Sequence, residues 1–361
     1  MNTTATHDTK RGEDARARIS VLSELPEEWE RQIKSWSRFN RSKKTKIKGL
    51  EVPDRNDEFF LYQTLIGAYP AGTPHDAVFL ERLKSYLIKA VREAKVHTAW
   101  HKPDLANEQA FVGFAEGILA PAQDNRFLAE FAPFAGKIAH GGMFHSLAQT
   151  LLKIVAPGVP DMYQGTELWD LSFVDPDNRR GVDFAQRCRL LDEIKLAESQ
   201  DRIALMGDLL SNWQGGRVKL YLIHKLLSFR RGHAKFFADA DYMPLKAMGP
   251  LGERICAFAR RAGSAWMAAI VPRLIGATVY HGGAPSGEVW ASSTLALPVD
   301  APAQWRDIIS GESIEAAAGN LLALSSVFRH FPVSPLYHPE RADDSTAVEE
   351  STHATTIQHI V

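Results

Sequence analysis

The hydrophobic pattern divides this chain into a long helical part and a later β-rich part. From Asp76 to Trp100, Phe79, Leu83, Tyr86, Leu87, Ala90 and Val91 recur at steps of three and four, which predicts one long amphipathic helix whose apolar stripe is core. The same spacing puts Ala17, Val21, Leu22 and Leu25 on one face of a helix over Glu13–Leu25, with acids early, where the helix dipole favours them. Further helices are predicted over Phe59–Ala68, entered through Asp54 or Asn56 as cap, over Ala106–Leu119, and over Asn125–Ile154 with a break near Gly141 and Gly142. Two more follow over Phe184–Glu198 and Arg217–Arg231, the latter with Leu220, Ile223, Leu226 and Leu227 inward. From about Met248 to Leu336 the period shortens. The runs ICAFAR, AWMAAIV, EVWASSTLAL and SSVFRHFPVSPLY, separated by Gly and Pro turns, predict a small antiparallel β-domain. Arg341–Val361 has no periodicity and reads as a disordered tail.

Two stretches combine strand composition with a burst of polar residues. Val155–Tyr163 is apolar and β-compatible, but Pro157 and Pro160 each remove a backbone donor, so a parallel strand must start late or sit between them. Gln164, Glu167, Asp170, Asp175, Asp177, Asn178, Arg179, Arg180 and Asp183 follow, interrupted by Leu168, Trp169, Leu171, Phe173 and Val174. This fits a loop leaving the C-terminal end of a strand, where parallel α/β folds keep their sites. Thr3–Thr6 likewise has strand composition and runs into a turn holding His7, Asp8, Lys10 and Arg11. Bland readings exist for both: a solvated turn with an Asp-Pro-Asp-Asn cap, and a local His–Asp hydrogen bond beside a helix-entry charge cluster. Trp169 and Phe173 weigh against the first. A pyranose has an apolar face and a ring of hydroxyls, and an aromatic among amides, carboxylates and guanidinium groups suits both.

Charge narrows the ligand class. Lysines and arginines number 42 against 43 acids, a net charge of −1, which argues against a nucleic-acid or anionic-membrane surface and is compatible with a neutral substrate. The basic run RFNRSKKTKIK, Arg38–Lys48, stands alone and reads as a solvated loop. Cys188 and Cys256 are too few and too far apart for a disulfide scaffold or a Cys-based metal site, so two buried or idle thiols in a reducing cytoplasm are expected. The 13 histidines are scattered along the chain and no clustered Cys accompanies them, so no metal or cofactor is expected. The N-terminal stretch lacks the apolar core of a secretory signal, and Pro272 and Arg273 interrupt the longest apolar segment, Ala265–Tyr280, so no membrane span is expected.

PGVPDMYQGTELW, from Pro157, resembles the last barrel strand of alpha-amylase-type glycoside hydrolases, and its continuation DPDNRRGVDF resembles one group of them, the maltooligosyl trehalose synthases. THDTKRGEDARARISVLSE at Thr6–Glu24, PDRNDEFFLYQTLIGAYP at Pro53–Pro70 and KAVREAKVHTAW at Lys89–Trp100 extend the likeness in family order. The resemblance implies an α/β plus β fold, the C-terminal part of a (β/α)8 barrel with a helical insertion and a closing β-domain. Its parts would be barrel strand seven and its helix at 1–25, the insertion at 26–150, strand eight with its loop and helices at 151–247, the β-domain at 248–340, and the tail at 341–361. It implies that Asp8 stabilises the transition state and His7 hydrogen-bonds the sugar at the cleavage point. Lys10 and Arg11 would position substrate or fix nearby carboxylates. Tyr163, Gln164, Glu167, Trp169, Asp175, Asn178 and Arg179 would bind substrate, with Arg55, Asn56, Lys95, His97 and Trp100 along the wall.

The implied reaction converts the reducing-end α-1,4 linkage of a maltooligosaccharide or glycogen-derived α-1,4-glucan to an α,α-1,1 linkage. Retaining enzymes need a nucleophile and an acid/base about 5 Å apart, and the strands that carry these in the family have no counterpart here. The isolated chain is therefore expected to be an incomplete, inactive fragment, from a truncated or frameshifted gene, or one half of an enzyme whose N-terminal barrel half is encoded separately. The alternatives are a general amylase-type hydrolase and a non-catalytic maltodextrin-binding remnant.

Overall fold

The computed structural model describes residues 1–70, 76–122, 124–276 and 287–340. Among the described residues, six α-helices build the first half: α1 (Glu13–Val21), α2 (Pro26–Asn40), α3 (Arg55–Ala68), α4 (Ala77–Ala94), α5 (Leu105–Leu119) and α6 (Arg126–Val155). A short hairpin, β1 (Thr45–Ile47) with β2 (Leu50–Val52), lies between α2 and α3. Local chemistry sets most of the starts. Asp54, Asp76, Asp104 and Asn125 each accept a backbone N–H from the first turn of α3, α4, α5 and α6, which satisfies donors the helix itself leaves unpaired. The helices enclose an aromatic core in which fully buried Trp36 meets the rings of Tyr62, Phe127, Phe131 and Phe134 at centroid distances of 5.4–5.8 Å.

The second half begins with α7 (Phe184–Gln200), α8 (Arg202–Ser211), α9 (Arg217–Gly232) and α10 (Ala234–Asp239), and continues into an eight-stranded, wholly antiparallel sheet. Its strands are β3 (Asp241–Met248), β4 (Ile255–Ala262), β5 (Ala265–Pro272), β6 (Thr294–Ala296), β7 (Gln304–Asp307), β8 (Ser313–Glu315), β9 (Leu321–Ala323) and β10 (Ser334–His338). They lie in the order β8-β7-β10-β5-β4-β3-β6-β9. Every residue of β5 is buried, because its two faces serve two cores. Met267, Ala269 and Val271 face α6 and α9, while Trp266, Ala268 and Ile270 pack beneath Trp290, Leu322 and Leu336. Arg260 on β4, 1% exposed, donates to the carbonyls of Phe237, Ala240 and Val155, so it satisfies the ends of α10 and α6 from the sheet.

Several expectations need correction. The Asn125–Ile154 helix does not break at Gly141 and Gly142. Both are buried, and a Cβ on Gly142 would meet Arg18 Cγ at 2.7 Å, so this glycine serves the close approach of α1 to α6. The Asp76–Trp100 helix stops at Ala94, where Lys95 turns left-handed at φ 58°, and His97 and Trp100 fall beyond it. The segments Thr3–Thr6 and Val155–Tyr163 are not extended strands. Val155 ends α6, and parallel pairing is confined to Asn2 opposite Pro160, with Asn2 N–H donating to Val159 O (2.7 Å) and Asp161 N–H to Asn2 O (2.8 Å). The sheet begins at Asp241, earlier than the β-rich composition indicated. The basic run is not simply solvated: Lys44 and Glu58 form a buried pair at 2.8 Å, and Lys43 Nζ caps Gly117 O at 2.8 Å. Both cysteines are exposed, not buried. The expected tail lies outside the described residues. Among the described residues, no helix is long and apolar enough to cross a membrane.

Candidate active site

Two polar loops far apart in sequence meet in space. The His7–Asp8 turn is closed by Thr6 and Thr9, whose backbone and hydroxyl groups bond to one another. Asn178 holds it from the other loop, Nδ2 donating to His7 O at 2.7 Å, while Tyr163 Oη donates to Asn178 O at 3.2 Å. His7 Nε2 stands 3.1 Å from Asp8 Oδ2, and the two side chains are 60% and 81% exposed, so this pair faces outward from a fixed backbone. Just beyond it, Gly12 N–H donates to Ser172 O (2.8 Å), and Arg11 pairs with Phe173 across an isolated antiparallel bridge.

The neighbouring motifs close on the same place. Lys10 Nζ reaches Glu93 on α4 at 3.2 Å, and Lys89, one turn earlier, donates to Asp175 O at 2.5 Å. Arg11 donates to Thr64 Oγ1 (3.0 Å) and lies over the Phe60 ring on α3. Thus Lys10 does bind a carboxylate, whereas Arg11 is spent on α3. The outer loop is pinned by Asp177, which takes a bidentate pair from Arg82 (2.7 and 2.8 Å), the Phe173 N–H (2.7 Å) and Arg180 (3.1 Å). Burial pushes the Asp177 carboxyl up, but the hydrogen bonds from Arg82 and Phe173 outweigh it and hold the group below the usual carboxylate range. Asp175 and Arg179 pair at 2.7 Å on the same loop.

Other predicted residues lie elsewhere. Gln164 is exposed. Glu167 binds Arg187 of α7 at 2.9 Å, and Trp169 gives its indole N–H to Trp213 O (2.8 Å) while packing against the core of α6 and α9. Arg55 and Asn56 open α3, and Trp100 is capped by Arg92 at 4.9 Å. His97 Nε2 lies 2.8 Å from Asp54 Oδ2 and 3.9 Å from Asp57 Oδ2 beside a cavity of about 480 Å³. These three groups could hold a cation, a set invisible to sequence spacing because 43 residues separate His97 from Asp54. Their geometry is also that of a helix cap carrying an imidazole: Asp54 Oδ1 accepts the Asp57 N–H at 2.9 Å.

Beneath the two loops is an ionic cluster the sequence did not reveal. Lys219 of α9, 0% exposed, contacts Glu13 Oε1 at 2.6 Å and Asp14 Oδ2 at 2.8 Å, at the start of α1. Lys153 of α6 lies 3.4 Å from Glu13 Oε2 and donates to Thr4 Oγ1 at 2.8 Å. Asp14 also accepts from Ser146 Oγ and from the Asp170 N–H. Burial pushes Glu13 up, but Lys219 and Lys153 outweigh it and bring its pKa down to about 2. Asp14 shares Lys219 with Glu13, and burial, joined by the Glu13 charge, outweighs that cation and raises it. One signal was present: Glu13 and Asp14 fall on a helix that otherwise contributes Ala17 and Val21 to the core.

No protein-family model matches the chain. Over 260 residues it is 36% identical to a protein named "Putative maltooligosyl trehalose synthase" in two strains of Mycobacterium tuberculosis, a match covering 72% of this chain and 29% of the relative. The solved maltooligosyltrehalose synthase from Arthrobacter ramosus superposes with a TM-score of 0.70 at 30% identity, covering 92% of this chain and 38% of that one. A hypothetical maltooligosyl trehalose synthase from Sulfolobus tokodaii gives 0.67 at 28% identity, covering 94% and 38%. The chain therefore spans well under half the length of the relatives it matches. By sequence and by fold alike, the chain is similar to the C-terminal part of maltooligosyl trehalose synthases.

Proposed function

We propose that this chain supplies one wall of an active site that isomerises maltooligosaccharides, converting the reducing-end α-1,4 linkage to an α,α-1,1 linkage in trehalose biosynthesis in the cytoplasm. The bond from C1 of the penultimate glucose to O4 of the terminal glucose breaks. The freed glucose stays bound, and its anomeric hydroxyl attacks the same C1, so no water is consumed. In this reading His7 and Asn178 fix the sugar at the cleavage point and Asp8 stabilises the positive charge that develops there. Lys10, through Glu93, and Arg179, through Asp175, keep the rim in place, with Tyr163 behind them.

The observation that carries the reading is the Asn178–His7 bond, which brings two family motifs 171 residues apart into one surface. Asp8 at 81% exposure sits in high dielectric, where its charge does little for a transition state, so the site needs a covering wall. We assign that wall, with the nucleophile and the acid/base, to polypeptide corresponding to the remaining part of the relatives, in a barrel of which this chain forms the last segments.

Maltopentaose incubated with the chain alone and with a polypeptide corresponding to the N-terminal part of a relative tests this. Non-reducing oligosaccharide is expected from the mixture only, and not with Asp8→Asn. Glucose or maltose instead would point to an amylase-type hydrolase, binding without turnover to a maltodextrin-binding module, and neither binding nor turnover would end the sugar reading.

A further inference from the structure

We propose that Lys153 and Lys219, acting through Glu13, Asp14 and Thr4, are positioning residues that set the His7–Asp8 turn against the Ser172–Asn178 loop. The inference rests on the site reading above and extends it to groups that do not touch the sugar.

Both ends of the turn are fastened to the cluster. Thr4 Oγ1 bonds Glu13 Oε2 and Lys153 Nζ just before His7, and Glu13 and Asp14 follow shortly after Asp8. The other loop is fastened to the same carboxylate: Asp170 N–H donates to Asp14 Oδ2 at 2.6 Å, and Asp170 O accepts the N–H groups of Asp14 (3.2 Å) and Ala15 (3.3 Å). Lys219 Nζ also reaches Leu168 O at 3.5 Å. Gly12 is an independent sign of this closeness, since a Cβ there would lie 2.4 Å from Asp170 O.

Stability alone does not account for such an arrangement. Apolar residues of similar volume commonly match or exceed a buried ion cluster in stability, and a hydrophobic contact has no direction. Four charges with defined donors and acceptors specify one geometry between α1, α6, α9 and two loops. Those loops carry His7, Asp8 and Asn178.

The test uses the 361-residue chain and the imidazole resonance of His7, assigned by its loss in His7→Gln. Thr4→Val cuts the tie nearest the turn and preserves every charge, Lys219→Met removes the shared cation, and Ser146→Ala weakens the cluster away from the turn. The inference expects Thr4→Val and Lys219→Met to move the His7 resonance and Ser146→Ala to leave it in place at a comparable loss of melting temperature. An unmoved His7 in folded Thr4→Val overturns it, and so does an equal shift in all three variants. If Lys219→Met does not fold, Thr4→Val decides. Maltopentaose binding, measured in parallel, is expected to weaken about tenfold in Thr4→Val. Wild-type protein that neither binds nor converts maltopentaose when mixed with the N-terminal polypeptide would sink the sugar reading, and the His7 shift would still decide the positioning.

Discussion

Replacing Lys219 by Met keeps an unbranched side chain one atom shorter and removes its charge. At an effective dielectric near 20, contacts of 2.6 Å to Glu13 and 2.8 Å to Asp14 are each worth about 6 kcal/mol of Coulomb attraction. Desolvation, several kcal/mol for each buried ion, takes back much of that. The variant leaves two buried carboxylates with Lys153 in contact with Glu13 and Arg18 acting on Asp14 from further off, and breaking a buried pair in this way costs about 3–5 kcal/mol. The pH dependence carries the diagnosis. Glu13, held at about 2 against an ordinary 4.5, contributes stability that is present above pH 4.5 and is lost as pH falls toward 2. Asp14 has the opposite sign, since its raised pKa means that its ionised form costs stability and protonation relieves that cost. Without Lys219 both carboxyls protonate more readily in the fold, so the penalty of the variant must shrink with acid. Urea unfolding followed by tryptophan fluorescence near pH 7 and near pH 4 measures it. A penalty below about 1 kcal/mol, or one equal at both pH values, would refute the electrostatic account. Adding Asp14→Asn should restore part of the loss, because one uncompensated charge is removed while the amide oxygen still accepts the Asp170 N–H and the amide NH2 can donate to the Ser146 hydroxyl.

Three further outcomes are expected. Asp177→Asn gives up the bidentate Arg82 contact and should cost about 2 kcal/mol in urea unfolding. Because Asp177 lies below its ordinary 3.8, the native contribution disappears as pH falls below that value, so variant and wild type converge in acid. Arg260→Met strips the carbonyls of Phe237 and Ala240 of their buried guanidinium partner and should cost about 3 kcal/mol by the same assay, whereas a loss under about 0.5 kcal/mol would mean that water replaces it. Asp54→Ala removes the cap of α3 and should cost about 1 kcal/mol, with the His97 imidazole resonance moving as its partner is lost.

Periodicity located the helices that bury a stripe, and α4 shows why: Phe79, Leu83, Tyr86, Leu87 and Val91 all reach the core. The α2 helix carries the same signal in Trp29, Ile33 and Trp36, at steps of four and three, and was not among the predicted helices. Gly141 and Gly142 misled because helix propensity speaks of isolated helices, whereas contact with α1 decides here. At the candidate site the sequence named candidate residues and not their company. His7, Asp8, Lys10, Tyr163, Asp175 and Asn178 do gather, but Glu167 and Trp169 turn toward α7 and α9, and motif adjacency carries no information about which way a loop residue faces. The position of Glu13 on the face of Ala17 and Val21 marked it as buried, but its pairing with Lys219 was illegible because ion pairs have no period.

That cluster also constrains when the site can come into being. Glu13 and Lys219 are 206 residues apart, so this tie beneath the turn bearing His7 cannot close until α9 has left the ribosome, after Lys153 and Asn178 have been made. At ~5–20 residues per second, the N-terminal segment waits ~10–40 s of synthesis for its partner. Closing so long a loop delays folding, and a segment that waits with apolar groups exposed invites aggregation. Here the groups that wait are carboxylates. Hydrated by water until the lysine arrives, they let the chain's beginning remain soluble until its far helix can claim it.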